Sequence, residues 1–297
     1  MRSLKILSIL FILIISNLAS AQRPVNFLTR PILSPIIFNQ TSAKSQTQIK
    51  LNNYFRELKT VEVTIDGETY DFLFDTGGGV TVVSPQVIEK LNKEPYGYNV
   101  GFRMSGERVV FERCDSVTLT MGGIRFHQEE VAVYDLMELL PKELKRVDGV
   151  VSLKTFERNE ITLDFNNNRI TMETEESFKA KTRRMTQVES RFSNGLAGDD
   201  LNIFLALKAG GKKWWFLFDS GNIAEMKIAK TIASSWEAGL ASDTTMARFS
   251  YHFADKAKES KMYIEDIIYD GALNFSFLQL HQFAISLSQN LVFISKQ

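Results

Sequence analysis

Residues 72–77 read Phe-Leu-Phe-Asp-Thr-Gly, and residues 216–221 read Phe-Leu-Phe-Asp-Ser-Gly. In front of each hexapeptide, apolar and polar residues alternate on both sides of a turn sequence, Asp-Gly at 66–67 and Gly-Gly at 210–211. Alternation around such a turn predicts a β-hairpin whose second strand runs directly into the hexapeptide. The chain therefore contains the same structural unit twice.

The repeat continues downstream of both hexapeptides. Each half reaches a second Asp-Gly pair, at 148–149 and 270–271, and then a further predicted hairpin, at 161–172 and 283–294. Short alternating strands with turn signals dominate, which predicts a mainly β protein with two lobes related by pseudo-two-fold symmetry.

Short helices are predicted at matching places in the two halves. Ser84-Pro85 is a favourable helix start for residues 86–91, and residues 226–236 are expected to supply the equivalent helix of the second half.

The chemistry of the repeat centres on Asp75 and Asp219, the first residues of the two triplets. Two carboxylates within hydrogen-bond distance cannot both ionise, so they share a proton. The ionised one can take a proton from a water that attacks an amide carbonyl, while the protonated one donates to the carbonyl oxygen. The alternative is that both triplets are ordinary turns, since Asp and Gly suit turns; that interpretation leaves the repeat unexplained.

Both hexapeptides resemble the active-site loops of the aspartic proteases, and residues 61–172 are most similar to the retropepsin-like proteases of bacteria. The resemblance implies a pepsin-like fold with two lobes, a substrate cleft between them and a hairpin flap within residues 100–114. The residues that it assigns are the catalytic pair Asp75 and Asp219, the loop residues Thr76, Gly77, Ser220 and Gly221, and the substrate-binding flap residues Ser105 and Gly106.

The sequence departs from that family at three places. Ser152 and Asn274 stand where the family has a glycine after two apolar residues, and no tyrosine lies near the flap tip. Gly78 and Asn222 follow the two triplets, where pepsin-like enzymes have a hydroxyl. Fewer donors to the charged form predict a first ionisation above that of pepsin and a bell-shaped activity profile centred at roughly pH 4 to 6.

Composition excludes several other classes. The 35 basic and 35 acidic residues balance, which argues against nucleic acid as a partner. The single cysteine, Cys114, cannot form an internal disulfide, and the three histidines show no zinc-binding spacing. No G-x-S-x-G elbow occurs. We expect neither a metal nor a cofactor.

The predicted organisation has five segments. Residues 1–21 have the charged, apolar and small-residue pattern of an export signal, which predicts a periplasmic or secreted protein without a stable membrane span after cleavage. Residues 22–50 are an edge strand or a pro-segment, 51–175 the first lobe, 176–200 a connector and 201–297 the second lobe. We expect a monomer.

The sequence favours an aspartic endopeptidase that acts on peptides or proteins. The first rival is a protease-like fold that binds peptides and cleaves them weakly or not at all. The second is an unrelated β-sandwich adhesin or carbohydrate binder, which would make the repeated triplet a coincidence.

Overall fold

The computed structural model describes residues 45–194, 200–236, 240–241 and 243–295. Strands make up most of this part of the chain and helices are few and short, so the predicted mainly β class is confirmed. Within it, no helix is both long enough and apolar enough to span a bilayer.

The first half of the chain forms ten strands. Their bounds are β1 (Thr47–Asn53), β2 (Lys59–Ile65), β3 (Glu68–Phe74), β4 (Val82–Val83), β5 (Tyr96–Phe102), β6 (Arg108–Met121), β7 (Ile124–Val133), β8 (Gly149–Val151), β9 (Glu160–Asp164) and β10 (Arg169–Glu173). Helix α1 (Pro85–Lys90) follows β4, and its N-cap is Ser84, as the sequence predicts. Two 3-10 helices lie at Leu136–Glu138 and Leu153–Phe156.

Six of these strands close into a barrel. The order is β2-β3-β8-β4-β7-β6, and a pairing between Thr64 of β2 and Thr120 of β6 completes the ring. Strand β5 lies outside the ring and pairs with the first part of β6 as a hairpin.

The second half repeats this barrel. It comprises helices α2 (Glu175–Thr182), α3 (Lys230–Trp236) and α4 (Phe275–Leu278), and strands β11 (Met185–Val188), β12 (Ser190–Ser193), β13 (Asn202–Ala209), β14 (Lys212–Leu217), β15 (Met226–Ala229), β16 (Met246–Phe253), β17 (Lys256–Glu265), β18 (Gly271–Ala272), β19 (Phe283–Ser286) and β20 (Leu291–Ser295). The ring order is β13-β14-β18-β15-β17-β16, and it closes where Lys208 pairs with His252. Each strand holds the same place in this ring as its sequence equivalent holds in the first.

The two halves share a six-stranded layer of order β11-β20-β19-β9-β10-β1. At its centre β9 pairs with β19, so the final hairpins of the two halves lie side by side. Strand β1 continues into the first barrel through β2. Two barrels joined by a common sheet are the predicted two-lobed pepsin-like architecture with pseudo-two-fold symmetry.

Three segments differ from the sequence pattern. Residues 226–229, predicted as the start of a helix, form β15, because they pair in parallel with β17; only 230–236 are helical. The predicted connector, 176–200, contains most of α2 and the strands β11 and β12. Of the N-terminal segment 22–50, residues 47–50 pair with β10 inside the shared sheet, and 22–44 lie outside the described residues, as does the proposed signal at 1–21.

Candidate active site

The two triplet loops, which are the candidate catalytic loops, leave their barrels at equivalent points. Strands β3 and β14 each run into a triplet, and each pairs in parallel with the short strand that crosses behind it, β8 or β18. The Asp75 amide donates to the Val151 carbonyl at 3.1 Å, and the Leu273 amide donates to the Leu217 carbonyl at 2.9 Å. The crossing strands thus fix where each loop begins.

Glycine is required at both crossings. A Cβ on Gly149 would lie 2.1 Å from the Val82 carbonyl oxygen and 2.3 Å from the Phe72 ring. A Cβ on Gly271 would lie 2.3 Å from the Phe216 ring. Real Cβ atoms do not approach other atoms this closely. The glycine of each repeated Asp-Gly pair therefore allows its strand to pass against an aromatic ring.

Ser152 and Asn274, which replace the family's glycines, each cap the short helix that follows and bind the catalytic loop of their own lobe. Ser152 accepts the Lys154 amide at 3.2 Å and donates to the Gly79 carbonyl at 3.4 Å. Asn274 accepts the Phe277 amide at 3.0 Å and donates to the Ala224 carbonyl at 2.8 Å. These side chains therefore connect helix starts to the loops, a contact that glycine does not offer.

The two loops are locked to each other by their hydroxyls. Thr76 Oγ1 donates to the Phe218 carbonyl at 2.8 Å and accepts the Ser220 amide at 2.9 Å. In return, Ser220 Oγ accepts the Thr76 amide at 3.0 Å and donates to the Phe74 carbonyl at 3.4 Å. All four hydrogen bonds are buried, so the lock fixes the separation of the loops that carry the two aspartates.

Asp75 and Asp219 meet at the centre of this lock, 8% and 0% exposed. A Cβ on Gly221 would lie 2.6 Å from Asp75 Oδ2, so the second loop passes directly against the first carboxylate. Oδ1 of Asp75 accepts the Gly77 amide at 2.9 Å. Oδ1 of Asp219 accepts the amides of Gly221 and Asn222 at 2.9 and 3.1 Å.

Both carboxyl groups are weaker acids than an ordinary aspartate. Burial raises the pKa of Asp75 to about 6, although hydrogen bonds from the Gly77 and Gly221 amides and from Asp219 lower it. Burial, followed by the negative charge of Asp75, holds the pKa of Asp219 well above its ordinary value. Oδ2 of Asp219 is buried and accepts no hydrogen bond in the described part of the chain, so it is the oxygen of this carboxyl group that is open to a proton.

The predicted flap residues lie in the turn of a hairpin. Strands β5 and β6 form this hairpin, and its turn spans residues 103–107, closed by a hydrogen bond from the Arg103 amide to the Glu107 carbonyl at 2.8 Å. Ser105 and Gly106 are exposed to solvent there, and Gly106 has a φ of 81°. Met104, which the sequence did not single out, is the buried residue of the turn.

Tyr269 is a site residue that sequence reasoning missed. It precedes Asp270-Gly271, where the first half has Val147 before Asp148-Gly149. Its hydroxyl is buried without a hydrogen-bond partner among the described residues, and its ring packs on Phe204 with centroids 5.1 Å apart. Burial and then the charges of Asp200 and Asp219 raise its pKa. Comparing the two Asp-Gly segments reveals the aromatic replacement but not its orientation.

In the ranges that the structure describes, no three His, Cys, Asp or Glu side chains come together in a way that could ligate an ion. The donors around the carboxyl groups are backbone amides, which favour an anion rather than a cation.

Comparisons with known proteins agree with this geometry. Residues 61–155 match the profile of the aspartyl protease family. Among solved structures, basic 7S globulin from soybean is 8% identical, with a TM-score of 0.52 over 84% of this chain and 95% of that one. Conglutin gamma, a basic 7S globulin from lupine seeds, is also 8% identical, with a TM-score of 0.55 over 85% of this chain and 95% of that one. No curated protein sequence matches.

The profile covers the barrel that carries Asp75, and the structural likeness covers both barrels. The barrel of residues 61–155, which carries the first of the duplicated Asp-Thr/Ser-Gly loops, is similar to the aspartyl proteases, and the fold of both barrels is similar to that of the basic 7S globulins.

Proposed function

We propose that this protein is an aspartic endopeptidase that hydrolyses peptide bonds in peptides or proteins. The observation that carries the proposal is the buried carboxyl pair at the contact of two hydroxyl-locked loops. A purely structural role does not account for it, because burying two carboxyl groups side by side costs free energy that an apolar pair would not.

Asp75 and Asp219 have separate tasks in the proposed reaction. Asp75, the more exposed of the two carboxyl groups, is the ionised member and removes a proton from a water between them. The water oxygen bonds to the peptide carbonyl carbon while protonated Asp219 donates its proton to the carbonyl oxygen. Asp75 then gives its proton to the peptide nitrogen as the C–N bond breaks. One hydroxyl of the tetrahedral carbon returns a proton to Asp219, which leaves a carboxylic acid and restores the pair. The proposed hydrolysis consumes one water and uses no cofactor.

The pKa of Asp75 also bears on the pH optimum. Activity requires one ionised and one protonated carboxyl group, so the rate rises as Asp75 loses its proton near pH 6. An acid limb near pH 6 moves the centre of the activity profile above the window of roughly pH 4 to 6 expected from the sequence. The cause is burial of the pair, which outweighs the amide donors.

Export and a monomeric state belong to the same proposal. The pattern of residues 1–21 supports export, and the two halves of one chain supply both loops, so the site needs no second copy.

The test is cleavage of a peptide library by the purified mature protein between pH 4 and 8, read by mass spectrometry. We expect cleavage that pepstatin inhibits and that Asp219→Asn abolishes. Cleavage that persists in Asp219→Asn would assign the activity to another group or to a contaminant. The exposed turn variant Asp66→Asn is the matched control, since it makes the same chemical change far from the site.

The second candidate function is peptide binding with little or no cleavage. Two observations favour it: both structural neighbours are named as globulins rather than as enzymes, and the flap rests on the second lobe. Library peptides retained at every pH without new termini would support it over the endopeptidase.

A further inference from the structure

The flap turn contains one buried side chain. Met104 is 5% exposed, whereas Ser105, Gly106 and Glu107, which follow it in the turn, are all exposed. A methionine at a hairpin tip is ordinarily exposed, so something outside the hairpin must cover it.

The second lobe supplies that cover. Met104 clusters with Leu217 and Ala272, which are fully buried, and with the partly buried residues Phe204, Ile267 and Tyr269. In addition, the Ile268 amide donates to the Met104 carbonyl at 3.0 Å. The flap of the first lobe is therefore held on the second lobe by a side chain and a backbone hydrogen bond.

The recess that Met104 fills adjoins the catalytic loop. Leu217 lies two residues before Asp219, and Ala272 is its neighbour across the β14–β18 pairing. None of the recess residues is charged, and the polar group that they contribute is the hydroxyl of Tyr269. A peptide lying over the carboxyl pair would present a side chain to this apolar surface.

We propose that this recess is the subsite for a methionine- or leucine-sized side chain of the bound peptide, and that Met104 occupies it in the free protein. The flap and the peptide thus compete for one apolar site. This inference rests on the proposed function, since it assumes that the cleft receives peptides. Methionine suits the role because its flexible side chain fills and leaves an irregular gap readily.

Removing the competing side chain should strengthen peptide binding. If a site is mostly closed by the protein itself, its apparent affinity is reduced by the fraction that is open. For Met104→Ala we expect the dissociation constant of a leucine-containing library peptide to fall by roughly three- to tenfold. Val110→Ala is the matched control, because Val110 lies on the same hairpin, is 44% exposed and is outside the recess. This variant should bind the peptide with an unchanged dissociation constant.

The direct test follows the Met104 methyl group by NMR. The chain has nine methionines, so methyl-labelled protein gives a spectrum in which Met104→Ala identifies one resonance. The NMR experiment uses the Asp75→Asn variant, because it is expected to bind the peptide without cleaving it. We expect a resonance shifted by the rings of Phe204 and Tyr269 that moves to the solvent-exposed position when the peptide binds.

The outcomes separate this inference from the proposed function. A Met104 resonance that stays in place while peptide binds, or an affinity unchanged in Met104→Ala, overturns the competition even if the wild-type protein cleaves peptides. Cleavage by the wild-type protein without measurable binding to either Asp75→Asn or its Met104→Ala derivative also overturns it. Absence of both cleavage and binding overturns the proposed function as well.

Discussion

The two catalytic loops have the same scaffold and different hydrogen bonds. Thr76 and Ser220 form a reciprocal lock, so the loops are nearly equivalent in backbone position. The equivalence ends two residues further along each loop, at Gly78 and Asn222. The Asn222 amide donates to the Asp219 carboxylate at 3.1 Å, whereas the Gly78 amide donates to the backbone carbonyl of Asp75 at 3.4 Å.

This difference shows how a duplicated chain produces an unequal pair. Asp75 accepts the amide of Gly77 and is 8% exposed, while Asp219 accepts two amides of its own loop and is fully buried. Burial is the main cause that raises the pKa of each carboxyl group, and the negative charge of Asp75 raises that of Asp219 in addition. The Asn222 side chain has no part in this, because it donates to the carbonyls of Glu225 and Leu273.

The largest expected effect is on catalysis. Either Asp75→Asn or Asp219→Asn should lower kcat by about 10²- to 10⁴-fold, because an amide can neither accept nor supply the proton that each carboxyl group handles. The double variant should be no worse than either single one, since the two act as a unit. Steady-state kinetics on a cleaved library peptide measure this, and additive losses would show that the two groups work independently.

The second effect is on stability and depends on pH. Asp75 has a folded pKa of about 6 against an ordinary value of 3.8, so the unfolded chain ionises first. Its stability contribution is therefore undiminished below pH 3.8 and is lost as pH rises through 6. We expect the free energy of unfolding of Asp75→Asn to be about 1 to 3 kcal/mol higher than that of the wild type at pH 8. Near pH 4 the two free energies should be equal.

Urea unfolding at the two pH values measures this difference, with Asp66→Asn as the exposed control. An advantage of equal size at pH 4 and pH 8 would mean that the raised pKa is not its cause.

The third effect compares the two hydroxyls of the lock. Thr76 Oγ1 makes bonds of 2.8 and 2.9 Å, and Ser220 Oγ makes one of 3.0 Å and one of 3.4 Å. Thr76→Val should therefore destabilise by about 2 kcal/mol and Ser220→Ala by about 1 kcal/mol, because each leaves buried backbone groups unpaired. Thermal unfolding measures both, and Thr76→Ser, which keeps the hydroxyl, should lie close to wild type. A larger loss for Ser220→Ala would reverse our ranking of the two hydroxyls.

The smallest expected effect distinguishes the hydroxyls of two tyrosines of the second lobe, Tyr269 and Tyr251. The Tyr269 hydroxyl has no hydrogen-bond partner in the described ranges, whereas that of Tyr251 lies 2.7 Å from Ser260 Oγ. Tyr269→Phe should leave stability unchanged or slightly higher and lower kcat/KM about tenfold, as expected for one lost substrate hydrogen bond. Tyr251→Phe should instead lose about 1 kcal/mol of stability at unchanged activity. A Tyr269→Phe enzyme as active as wild type would remove this residue from the site.

Much of this arrangement follows from local sequence. The hairpin turns, the two hexapeptides and the Asp-Gly crossings are each specified within a few residues, so the lobes, the catalytic loops and the final hairpins could be predicted. Helix α1 likewise follows from its Ser84-Pro85 start.

What could not be predicted depends on distant partners. Strand β11 pairs with β20, more than a hundred residues later, and β15 is a strand because β17 lies beside it. Met104 and Tyr269 are adjacent only after the two barrels are in place. Nothing in their own neighbourhoods marks either residue as part of the site.

The central claim is that one symmetric scaffold holds two carboxyl groups that share one proton unequally. Aspartate ¹³Cγ NMR across pH 3 to 9 tests it directly, with Asp75→Asn and Asp219→Asn to assign the two resonances. We predict that Asp75 titrates near pH 6, that the pKa of Asp219 is well above the ordinary aspartate value, and that Asp219 titrates at lower pH in Asp75→Asn because the neighbouring charge is gone. Two independent titrations near the ordinary aspartate pKa, unchanged by either substitution, would contradict the account.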